Sequence, residues 1–66
     1  MLTEQKKQIL RTYAECNMNV SEVARKLHYH RNNVDYHLDN IRMKTGLNPR
    51  NLYDLVRLLE IVEAEE

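Results

Sequence analysis

Arg31, Asn32 and Asn33 stand in succession, and Asp35 and Tyr36 would follow on the next turn of a helix. Arg can fork onto the O6 and N7 edge of guanine, and Asn onto N6 and N7 of adenine. Such side chains on the exposed first turn of a helix suit a reader of the DNA major groove. Asp35 can accept from a cytosine amino group, although repulsion by phosphates opposes it there. Tyr36 is placed to meet a phosphate or a thymine methyl. Ser21, Arg25 and His30 flank this group and could donate to phosphate oxygens, with Arg42 and Lys44 further out.

Other chemistry fits less well. His28, His30 and His37 with Cys16 invite a zinc reading, but His-x-His is not the usual structural spacing and no second thiol exists. Cys16 reads as a small, partly buried apolar residue. No Ser/His/Asp or Cys/His order carries meaning in so short a helical chain. No catalytic residue, cofactor or metal ligand is therefore assigned, and no enzyme activity is expected.

The elements that must position these residues read as four helices. Thr3 caps the first, with Glu4 in its first turn and Ile9, Leu10 and Tyr13 on one stripe. Asn17-Met18-Asn19 ends it by turn chemistry, and Asn19 with Glu22 resembles a capping box for the next. The second helix runs from Val20 to about Leu27, with Val23, Ala24 and Leu27 inward. His28-Tyr29-His30 interrupts the period. A third helix restarts near Arg31, carries Val34, Leu38 and Ile41 inward, and closes at Thr45-Gly46. After a connector anchored by Leu47, Asn51 caps a fourth helix with Asp54 at its third position.

Residues 20–44 are the informative unit. A short helix, a three- to four-residue turn and a longer helix make the helix-turn-helix plan. Ala24 must be small because the second helix of the pair crosses close over it, and Tyr29 plugs the corner. Val34 and Leu38 lock back onto Val23 and Leu27. The expectation is an all-α, four-helix domain with a helix-turn-helix, one domain over residues 1–66 that binds double-stranded DNA.

Asn19, Val20, Ser21, Ala24, Leu27, His28, His30, Arg31, Asn32, Tyr36, Leu38, Ile41, Thr45, Gly46 and Leu47 match one pattern together. On these residues the chain resembles the C-terminal helix-turn-helix domain of the PucR/CdaR family of bacterial transcriptional regulators, itself distantly Fis-like. The resemblance covers roughly residues 5–62. It implies sequence-specific duplex binding in transcriptional control, usually as dimers. Family members carry a large N-terminal effector-sensing part. The chain is thus expected to be either a domain excised from a larger regulator, with an added Met1, or a minimal stand-alone one. Asn33 replaces a usual Thr, and Asp35 and His37 replace frequent Arg, which removes positive charge from the recognition helix.

The net charge of zero is a sum of unlike parts. Residues 1–50 hold nine Lys/Arg against five Asp/Glu, and residues 51–66 hold one against five, so +4 is joined to −4. A nucleic-acid-facing body with an acidic helix turned away fits that asymmetry. Glu60, Glu63, Glu65 and Glu66 read as a solvated, fraying end. One cysteine excludes an internal disulfide and suits a reducing, cytoplasmic setting. Apolar runs are too short for a membrane span.

On the fourth helix, Leu52, Leu55, Val56, Leu59 and Val62 suffice for the core, and Tyr13 and Tyr53 are expected in or near it. Leu58 and Ile61 then remain as surplus, the expected contact of a homodimer through this helix. A rival reading is a helical protein–protein interaction module using that apolar face; a small antitoxin or anti-activator is a third.

Overall fold

The computed structural model describes residues 2–65. It contains α1 (Glu4–Glu15), α2 (Val20–Leu27), α3 (Arg31–Thr45) and α4 (Leu52–Ala64), and no strand among the described residues. Each helix starts on a side chain that accepts from an otherwise unpaired backbone N–H. Thr3 accepts from Lys6, Asn19 from Glu22, and Asn51 from Asp54. The expected capping boxes are only half formed. Glu22 turns to Arg25, and Asp54 accepts from the backbone N–H of Asn48 at 3.0 Å. That bond ties the α3–α4 connector to the start of α4.

Left-handed residues follow the ends of α1, α2 and α3. Gly46, at φ 77°, stops α3, and a Cβ there would touch nothing within 4 Å. Its requirement is conformational, not steric. At the end of α1, Asn17 and Met18 both have positive φ, and the Met18 N–H donates to the Tyr13 carbonyl at 2.8 Å. Asn tolerates this conformation readily; Met does so here with its side chain packed on the core.

Ile9, Leu10 and Tyr13 from α1 meet Val23 and Ala24 from α2 and Val34, Leu38 and Ile41 from α3, all buried. The backbone of α1 approaches those of all three other helices, and α2 also packs on α3, whereas α4 approaches α1 alone. Lys7 near the start of α1 meets Glu65 just past α4 at 3.5 Å, while Ala14 and Met18 at the other end line one groove with Leu52 and Val56. The two helices are therefore antiparallel.

Because α4 crosses a single neighbour, only one narrow stripe of it is fully buried, Leu55, Leu58 and Val62 at spacings of three and four, with Leu59 half-buried beside it. This corrects two expectations. Leu58 is 0% exposed and is core, not surplus. Leu52, Tyr53 and Val56, expected in or near the core, are 60%, 80% and 48% exposed. Ile61 stays partly exposed, on the opposite flank of α4 from Leu52 and Val56.

The acidic end also differs from expectation. Glu65 accepts from the Leu2 N–H at 3.4 Å and pairs with Lys7, whose ammonium end lies in a side chain 6% exposed. Glu66 and Met1 lie outside the described residues. No helix of the described residues is long and apolar enough to cross a membrane.

Candidate nucleic-acid interface

The turn between α2 and α3 decides where the first residues of α3 point. Its backbone reverses at His28, which is left-handed at φ 60°. The His28 N–H donates to Arg25 and the Tyr29 N–H to Ala24, the paired bonds of a Schellman closure. Tyr29 then packs partly against the core, and its hydroxyl accepts from the Gln5 side chain at 3.4 Å. The plug expected at Tyr29 is thus also fastened to α1.

His30 is the cap of α3. Its Nδ1 accepts from the Asn32 N–H at 3.3 Å, which leaves Nε2 as the ring's donor. Immediately beyond it Arg31, Asn32 and Asn33 are exposed, and Tyr36 is 62% exposed one turn on. The Tyr36 ring stands edge-on to His37, with centroids 5.5 Å apart. Asn32, Tyr36 and Met43 lie opposite the Val34–Leu38–Ile41 stripe, so they form the outermost line of α3. Ser21 and Arg25 are exposed on α2, and Arg25 is held by Glu22.

Asp35 is placed differently from its neighbours. It is half-buried, and the Arg50 guanidinium reaches it at 3.2 Å while reaching Asp39 at 2.8 Å. Burial by itself would lower the Arg50 pKa; its hydrogen bonds to Asp39 and Asp35 outweigh that and hold it above the ordinary value. Burial also raises the Tyr13 hydroxyl, with Arg50 opposing and Asp35 reinforcing that shift. The free, groove-facing carboxylate expected at residue 35 is therefore corrected to one partner of a clasp.

His37 is turned inward. It is 8% exposed, and its Nδ1 has no hydrogen-bond partner among the described residues. Burial first, and the Lys6 charge second, lower its pKa. Among the described residues, no three His, Cys, Asp or Glu side chains are grouped to hold a metal ion.

The order of the elements, the corner at Ala24 and Tyr29, and the exposed polar first turn of α3 make a helix-turn-helix. The family model of the PucR C-terminal helix-turn-helix domain matches residues 7–61. The chain belongs to that family. No curated protein and no solved structure matches it.

In this PucR-type domain, Ser21, Arg25, His30, Arg31, Asn32, Asn33 and Tyr36 lie on α2, on the turn and on the outer side of α3, all solvent-exposed. Asp35 stands beside them on the flank that Arg50 covers. Leu58 and Ile61 are not brought together: one is inside and the other on a flank of α4. The residue that sequence reasoning passed over is Arg50, taken as plain connector. A usable signal existed, because Asp35 and Asp39 are one turn apart on one helix face and ask for a cation. A second missed signal was His28, since His is among the residues enriched at left-handed positions.

Proposed function

We propose that this domain binds double-stranded DNA sequence-specifically in transcriptional control, with the N-terminal half of α3 in the major groove. The observation that carries the reading is the exposed Arg31-Asn32-Asn33 turn, fixed by a closed corner, on a PucR-type helix-turn-helix. Arg31, Asn32 and Asn33 would meet base edges, and Tyr36 a thymine methyl or phosphate. Ser21, Arg25 and the His30 Nε2 would hold the backbone. The reading includes no enzymatic step and places the protein with the DNA, in the cytoplasm of a bacterial cell.

Two copies fit this reading better than one. Net charge is zero, so one copy offers few phosphate contacts. The domain is 27 Å in its longest dimension, less than the ~34 Å between half-sites one helical turn apart. The apolar surface open to a second copy is the Leu52, Tyr53 and Val56 side of α4, not Leu58. A larger regulator with an effector-sensing part is the setting that the family suggests.

The test is selection of bound sequences from random duplexes, followed by titration of the selected site at several salt concentrations. A shared motif, and an affinity falling with salt at about 0.9 log units per phosphate contact, support the reading. Salt-independent or absent duplex binding would favour the rival, a protein–protein module working through α4.

A further inference from the structure

Arg31, Asp35, Asp39 and Arg42 lie along one flank of α3, because residues three and four apart stack on a helix face. Left alone, such a flank satisfies itself. Asp35 is one turn from Arg31 and Asp39 is three residues from Arg42, so each acid would draw the neighbouring guanidinium onto the helix surface. The structure shows another arrangement. Both carboxylates are taken by Arg50 from the connector, at 3.2 and 2.8 Å, and neither Arg31 nor Arg42 makes an ion pair among the described residues. The connector is built to deliver that guanidinium. Pro49 is buried, the Arg50 N–H donates to the Asn48 side chain at 3.1 Å, and the Asn48 N–H donates to Asp54. Arg50 is thus aimed from both sides, not left as a free surface arm.

We propose that Arg50 is a positioning residue for DNA binding, which sequesters Asp35 and Asp39 and so leaves Arg31 and Arg42 free to reach DNA. The inference rests on the DNA-binding reading above and deepens it. It also gives Asp35 a role without base contact: an acid on this helix is tolerated because a cation supplied from outside the helix occupies it. A guanidinium suits this task, since its planar fork serves two carboxylates at once whereas an ammonium is a single point charge.

The test compares variants on a short random-sequence duplex pool by fluorescence anisotropy, with helicity and melting followed in parallel. Arg50→Gln should weaken binding by about tenfold and flatten the salt dependence, because two phosphate- or base-directed charges are recaptured. Adding Asp35→Asn and Asp39→Asn to Arg50→Gln should restore binding to near the starting value, a rescue that a merely structural Arg50 would not show. Arg50→Lys should fall between. If Arg50→Gln folds poorly, the Asp35→Asn/Asp39→Asn pair with Arg50 intact carries the test, and binding at or above wild type supports the proposal.

Unchanged binding by folded Arg50→Gln overturns it. So does a triple variant as weak as Arg50→Gln, since Arg50 would then be touching phosphate itself. A paired-Asn variant that binds the pool more weakly than wild type also overturns it, since Asp35 or Asp39 would then be contacting DNA itself. Failure of the wild type to bind duplex with any salt dependence would sink the DNA reading, and this inference with it. Normal wild-type binding with insensitive Arg50 variants would sink this inference alone.

Discussion

α3 runs fifteen residues and α4 thirteen, and each turns one stripe into the core. What they leave outside differs. α3 is packed on two sides, by α2 and α1, and its first half exposes Arg31, Asn32, Asn33 and Tyr36, with Met43 exposed further along. α4 is packed on one side, by α1, and exposes Leu52, Tyr53 and Val56. The first helix has an outer face suited to a polar, charged ligand that comes and goes. The second has an outer face that water tolerates poorly and a neighbouring apolar surface could cover. On the proposed function, reading and assembling would fall to two helices that hardly approach one another.

The sharpest way to break this comparison is at Leu58, on the inner side of α4. Leu58→Ala should lower stability by ~2–5 kcal/mol in thermal or urea unfolding, the range for a large buried side chain cut to a methyl. In so small a domain that can leave no folded protein. A loss under ~0.5 kcal/mol, the range of ordinary surface changes, would put Leu58 back on the surface.

On the outer side of α3, Arg31→Ala should leave helicity intact and cost ~1–3 kcal/mol of binding at one base step of the selected site. Unchanged preference at every position would remove Arg31 from the readers.

A subtler contrast lies in His37, on the inner side of the same helix. Its folded pKa lies below the ordinary 6.5, so the unfolded chain binds more protons as the pH falls. The contribution of His37 is complete above 6.5 and is lost as the pH drops through the window beneath it. The melting temperature should therefore fall as the pH drops below 6.5. In His37→Gln the fall should be smaller; an equal fall would show that other groups control it. Lys6 is the charged group whose field reaches His37.

The smallest effect on stability is expected on the outer side of α4. Val56→Glu should change unfolding by no more than ~0.5 kcal/mol. By sedimentation at high concentration it should nevertheless shift any two-copy species toward monomer and weaken binding to a paired site more than to a half-site. A variant that keeps a wild-type dimer would remove this side of α4 from the assembly.

How far the sequence could be read follows from where each residue finds its partners. The helix starts at Thr3, Asn19 and Asn51 and the stop at Gly46 were legible because capping is local, settled within three or four residues. The stripe Val34–Leu38–Ile41 was legible because polar residues bound it on both sides. α4 offered no such boundary. Leu52, Leu55, Val56, Leu58, Leu59, Ile61 and Val62 support two stripes of equal period, and only the connector's path decides which faces α1. Asp35 was misread for a related reason: its partner Arg50 is fifteen residues away, beyond the reach of any helical spacing. His37 was grouped with Asp35 among the charge-lowering replacements on the recognition helix, and its burial depends on how α1 lies beneath α3.

The bond between the Leu2 N–H and Glu65, with the Lys7 pair beside it, brings the two ends of the described chain to one place. Topologically the domain is a ring with a nick at that point. Joining residues 65 and 2 through a short flexible link, and opening the chain in the connector near Asn48, should give a circular permutant with the same four helices. In that permutant α4 would precede α1 directly, and the packing that now joins the first and last helices would become a contact between sequence neighbours. Relative contact order would fall, and folding should accelerate if closing α1 on α4 limits the rate.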